Sequence, residues 1–155
     1  MIYTRYLIYV DDLGQKFPSS LQRFQQHVFA NESPDGAFLK AFRDHLTDMY
    51  QYWDTIPANC INLSAMNYIN GCIMEEMPVI RDMKISNAAH SWPNYLREKT
   101  GSAEAYAFML FPRTSNLDIS VYIQVINDIA FFTNLTNDIM SYVVPFFPYE
   151  FINDK

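Results

Sequence analysis

Three small groups of residues carry the chemistry this sequence could do. Asp11 and Asp12 are adjacent carboxylates at the end of an apolar stretch. Such a pair can bind a hard divalent cation, and Mg²⁺ is commonly held by one or two carboxylates together with substrate phosphates. Asn137 and Ser141 stand four residues apart, so on a helix their side chains share a face. With Asp138 beside them they offer further oxygen donors to the same kind of ion. Arg97 sits one turn before Gly101 in REKTG, and a planar guanidinium can grip a diphosphate through paired hydrogen bonds. Each group has a plainer reading when taken alone. These are a solvated acidic pair, a polar stripe on a helix and a surface arginine favoured by a helix dipole. His27, His45 and His90 show no metal spacing, and Cys60 and Cys72 are too few and too far apart for a zinc knuckle. There is no Gly-rich phosphate loop and no nucleophile elbow, so no nucleophile or general base is singled out.

The elements that must position these groups read as helices. Apolar residues recur at helical spacing over residues 2–10, ending at the acidic pair. Pro18, Ser19 and Ser20 start a short helix to about Ala30, and residues 31–36 form a polar loop. Asp35 is the expected cap of the next helix. There Phe38, Phe42, Leu46, Met49 and Trp53 step along one face, and Pro57 closes the unit. Asn59 is the expected cap of a helix running to about Met77, before Pro78. Residues 79–91 give no clear pattern. Pro93 suits the first turn of a helix over Tyr95–Lys99, with Gly101 as its stop and Ser102 as the cap of a segment reaching Phe111. From Ser115 to about Tyr142 runs the longest helical pattern. Its apolar stripe is wide enough to predict burial on most sides. The fold class is all-α.

Composition narrows the function classes. The chain has 155 residues, enough for one domain with a buried core. Only 18% are charged, while 12 Phe, 11 Tyr and 2 Trp make it rich in aromatics. A net charge of −6 disfavours a nucleic-acid binder, which needs many cations against phosphates, and equally a basic membrane-surface helix. No apolar run reaches the length of a membrane span. The N-terminus lacks the pattern of a signal peptide, and two cysteines without a disulfide framework suit reduced thiols. The expectation is a cytoplasmic protein.

Together, and in this order, the motifs resemble those of the fungal trichodiene-synthase-like (class I) sesquiterpene cyclases. YVDDLGQKFP is similar to the family's aspartate-rich metal motif. WPNYLREKTG with YAFMLFP resembles its diphosphate-sensor region, and TNDIMSY resembles the start of its second metal motif, Asn-Asp-x-x-Ser-x-x-x-Glu. YINGCIMEE also has the family's look. The resemblance covers about residues 3–142. It implies an all-α bundle around an apolar cavity, with farnesyl diphosphate as substrate and Mg²⁺ as cofactor. Asp11 would bind Mg²⁺ with Asp12 in support, and Asn137 and Ser141 would bind a further ion. Arg97 would sense the diphosphate, Thr100 and Gly101 would form the hinge that transmits its binding, and Tyr68 would face the cavity.

Two positions depart from the pattern. The last acidic position of the first motif is Gln15. The Glu of the second motif is replaced by Pro145. Residues 1–142 are therefore expected to be part of a cyclase domain, and 143–155, VVPFFPYEFINDK, an unrelated tail from a retained intron, a frameshift or a truncated gene. A catalytically inactive helical fragment, pairing with a partner through exposed core faces, is the competing reading. A chain-elongating prenyl-diphosphate enzyme would carry a second aspartate-rich motif where Asn137 and Ser141 stand. The sequence does not set the oligomeric state.

Overall fold

Residues 2–14 and 16–143 are described by the structure, a computed structural model. Among them all regular structure is helical. Helix α1 spans Ile2–Gly14, α2 Pro18–Phe29, α3 Gly36–Tyr52 and α4 Thr55–Glu76. A short α5, Pro78–Arg81, leads by turns to α6, Trp92–Gly101, and α7, Ala103–Met109. Then follow α8, Ile119–Tyr122, and α9, Ile126–Val143. Met1, Gln15 and residues 144–155, with the expected break at Pro145 and all of the expected tail except Val143, lie outside the described residues.

Helix α4 is the hub. It packs against α1, α2, α3, α6 and α7. Its buried residues Ala58, Ile61, Ser64, Ala65, Ile69, Gly71 and Cys72 go round much of its circumference, and most are small. Small side chains let several helices approach one axis. Gly71 shows how closely: a Cβ there would meet the Thr100 methyl at 2.8 Å and the Lys99 carbonyl carbon at 3.0 Å. This crossing sets α6, and with it Arg97, against α4.

On the other side of the core, α1, α2 and α3 meet through aromatic rings. Tyr6 stacks on Phe42 at 5.0 Å between centroids, and Phe42 on Phe24 at 5.6 Å. Phe24 and Phe42 are fully buried, worth about 2–3 kcal/mol each in area removed from water. His45 joins this stack, 5.1 Å from Tyr6, with its Nε2 buried and unpartnered. Burial holds its imidazole below the ordinary value, against the opposing pull of Asp48. The unfolded chain then takes up the proton first on acidification, so stability is full above about pH 6.5 and falls as pH drops towards the lower folded value. His45→Phe keeps the stack and removes the proton. Its melting temperature should fall less than the parent's between pH 7 and pH 5; parallel curves would show that His45 does not set the acid limb.

Several boundaries differ from the sequence reading. Asp35 occupies the N-cap position of α3 without capping it; its carboxylate pairs with Arg23 at 2.6 Å, which holds it below the usual carboxylate range. Helix α4 starts at Thr55, not Asn59. Pro57 lies inside its first turn, where a missing N–H leaves nothing unpaired, and so does not close the preceding unit. The break after α6 falls at Ser102 (φ 48°), one residue past Gly101, and α7 ends at Met109. Ser102 does not cap α7. Its buried hydroxyl lies 3.0 Å from Tyr3 Oη and 3.2 Å from Ser64 Oγ, tying the break to α1 and α4.

The long helix expected from Ser115 is also divided. Asp118 accepts from the Ser120 amide at 2.9 Å and starts α8, which Tyr122 pins to the turn after α7 by stacking on Phe111 at 4.3 Å. A 3₁₀ turn at Ile123–Val125 then precedes α9. Nor is this segment buried on most sides. Tyr122 and Ile126 are buried, whereas Phe131, Phe132, Ile139, Met140 and Tyr142 are each more than half exposed. The neighbour α9 packs on most extensively is α7.

Candidate diphosphate and metal site

The last turn of α1 presents Asp11 and Asp12, both exposed. Neither forms an ion pair among the described residues. Asp11 Oδ1 lies 4.0 Å from the Cys72 thiol, which points at it from α4. Burial, and then the Asp11 charge, push that thiol up to about 12, so it stays protonated and can only donate. Tyr68, one turn earlier on α4, is half-buried against the core beside Cys72. Burial first, then the neighbouring Cys72 and Asp11, raise its hydroxyl above the ordinary value. Glu75 completes this end of α4. Burial raises its carboxyl, Asp11 adds to the rise, and Arg97 opposes it. Glu75 therefore feels the charges of both Asp11 and Arg97.

Arg97 joins α6 to α9. Its Nε donates to Asp138 Oδ2 at 3.1 Å, and its Nη2 lies 2.8 Å from Asp138 Oδ1. The same Nη2 donates to the Asn134 carbonyl and to Asn137 Oδ1, both at 3.2 Å. Gly101 permits this approach. A Cβ on it would overlap Asn134 Oδ1 and stand 2.7 Å from Arg97 Nη1. Thr100 is anchored within α6 by donating to the Leu96 carbonyl at 3.1 Å, and its methyl fills the notch at Gly71. Beside Arg97 opens a cleft of about 570 Å³ between α4, α6, α7 and α9, lined by Asn67, Glu104, Ala130, Asn134 and Asp138 among others.

Arg97, Asn137, Thr100 and Gly101 thus converge. Asp11 and Asp12 lie on α1, and among the described residues no hydrogen bond or ion pair joins them to Asn137 or Ser141. Ser141 is exposed one turn beyond Asn137. The donor set suits Mg²⁺ in kind: two carboxylates without a counter-cation, an amide oxygen and a hydroxyl are hard oxygen ligands. It does not form a closed cage. No three His, Cys, Asp or Glu residues gather as a metal site among the described residues. Such a site needs further oxygens from the ligand it serves.

Sequence reasoning placed Asp138 beside the motif without a partner and missed Asn134, Cys72 and Glu75. Asn134 had a signal, standing one helical turn before Asp138. Glu75 had one too, seven residues after Tyr68 and so on the same face of α4. Cys72 had none, since its partner lies 61 residues away.

The family model of trichodiene synthase (TRI5) matches residues 1–152. Terpene synthase BipA of Cochliobolus sativus is 31% identical over 141 residues, covering 91% of this chain and 43% of that protein. The (E)-beta farnesene synthase of Metarhizium brunneum is 29% identical over 144 residues, with coverage of 91% and 43%. Alpha-cuprenene synthase COP6 of Coprinopsis cinerea is 27% identical over 140 residues, with coverage of 90% and 42%. The chain spans less than half the length of these relatives. With a match along nearly all its residues and an all-helical fold, the chain belongs to the trichodiene synthase family of terpene synthases.

Proposed function

We propose that this chain forms the metal and diphosphate half of a Mg²⁺-dependent sesquiterpene cyclase that ionises farnesyl diphosphate and cyclises the resulting carbocation. The observation that carries the reading is the joint contact of Arg97 with Asn137 and Asp138, which brings the sensor-like and second metal-like motifs to one point. Ionisation breaks the allylic C–O bond, and the bonding electrons leave with the diphosphate. A fixed guanidinium at that point stabilises the charge that develops on the leaving group. Asp11, Asp12, Asn137 and Ser141 would hold Mg²⁺, which supplies Lewis-acid stabilisation of the same oxygens. The relatives named as farnesene and cuprenene synthases favour a fifteen-carbon substrate.

The exposed apolar face of α9 favours a second reading, an inactive helical fragment that binds another polypeptide. Incubation with farnesyl diphosphate and Mg²⁺, followed by analysis of volatile products, separates the two. The 155 residues alone should give little product. A version continued beyond Ser141 in the family pattern, with Glu at position 145, should give a cyclic sesquiterpene. Robust turnover by the short chain would overturn the first expectation, and silence from the continued one the cyclase reading itself.

A further inference from the structure

We propose that Asp138 is a built-in occupant of the anion seat on Arg97, which an incoming diphosphate must displace. This rests on the reading of Arg97 as the diphosphate contact. The two oxygens of Asp138 meet Nε and Nη2 of Arg97 at 3.1 and 2.8 Å, a two-point fork. That is the arrangement a guanidinium makes with two oxygens of a phosphate group. Every remaining donor on that edge is also engaged, since Nη2 reaches the Asn134 carbonyl and Asn137 Oδ1. The opposite nitrogen, Nη1, lies against Gly101, 2.7 Å from where a Cβ on that residue would stand. The Nε–Nη2 edge of Arg97, the one that can fork two oxygens, is therefore not free for an anion while Asp138 stays in place.

The pair is built to be opened. Asp138 is 53% exposed and Arg97 28% exposed, and both line the cleft of about 570 Å³ through which an anion can reach them. An ion pair so exposed is held weakly. Asp138 belongs to α9, whose C-terminal turns carry Asn137 and Ser141, so the exchange also bears on the metal-like motif. Asn137 Oδ1 accepts from the same Nη2 that Asp138 holds. When Arg97 turns from Asp138 to an anion, that amide oxygen is released and becomes available to a cation. Anion and cation binding are thereby linked through one side chain.

The probe is inorganic pyrophosphate with Mg²⁺, titrated by calorimetry into the 155-residue chain and its variants. Asp138→Asn keeps the shape and one acceptor but removes the competing charge, and should tighten pyrophosphate binding by about two- to fivefold. Arg97→Ala should remove binding in either background. Unchanged or weaker binding by Asp138→Asn, with loss in Arg97→Ala, overturns the proposal and leaves the reading of Arg97 standing. Binding that survives Arg97→Ala, or no binding by the parent at millimolar pyrophosphate, overturns both. If Asp138→Asn does not fold, the Arg97 Nε resonance of the unsubstituted chain decides. It should shift on pyrophosphate addition as the Asp138 bond is exchanged, and a resonance that stays put while pyrophosphate binds sinks the idea.

Discussion

Arg97→Ala is expected to cut turnover by a family-length version of the enzyme by about 10²–10³-fold, the usual loss on deleting one preorganised donor at a developing anion. The fork on Asp138 shows the guanidinium edge that would face a leaving group once that carboxylate is displaced. The loss should fall on ionisation rather than on folding. The ion pair it removes is exposed and contributes about 1 kcal/mol or less to stability. Arg97→Lys should recover only part of the rate, because an ammonium keeps the charge and loses the two-point geometry. Product formation under saturating farnesyl diphosphate, with melting curves for each variant, checks this. A variant that melts like the parent and turns over like it would remove Arg97 from the chemistry.

Gly101→Ala should be the most disruptive small substitution near the site. The added methyl has no room: it would overlap the Asn134 side chain and crowd Arg97 Nη1, and both belong to the contact that holds α6 on α9. Because α9 is a helix docked on α7, it can yield only by moving as a body or by turning Asn134 into another rotamer. Such overpacking costs about 1–3 kcal/mol. The same shift lengthens the Arg97 contacts with Asn137 and Asp138. The expected result is a melting temperature lower by several degrees together with weaker pyrophosphate binding. Loss of stability with pyrophosphate affinity unchanged would mean that Gly101 packs α6 without setting the position of Arg97.

The sequence announced what depends on neighbours along the chain and hid what depends on neighbours in space. Helices α1, α2 and α3 follow from spacing, proline and loop residues, and the aromatic step from Phe38 to Trp53 does mark the face that packs on α1 and α2. The division of the last long helix was readable in Asp118, a strong cap with Ser120 two residues on, but the wide apolar stripe outweighed it. That stripe also misled on burial: periodicity tells which face is apolar, not whether anything covers it. Arg97, Asn137 and Ser141 are singled out by motif order alone. The partnership of Arg97 with Asp138 crosses 41 residues and that of Tyr3 with Ser102 crosses 99, distances over which no local pattern carries information.

The hydroxyl cluster of Tyr3, Ser64 and Ser102 has a consequence for how the molecule holds together. A serine in left-handed backbone costs about 1 kcal/mol that glycine would not incur. Here the cost is offset by bonds reaching in from the first and fourth helices. The joint next to Gly101 is therefore secure only while the N-terminal segment remains docked. The strand of polypeptide bearing Asp11 and the elbow behind Arg97 must order and fray as a single cooperative unit, although nearly a hundred residues separate them along the chain.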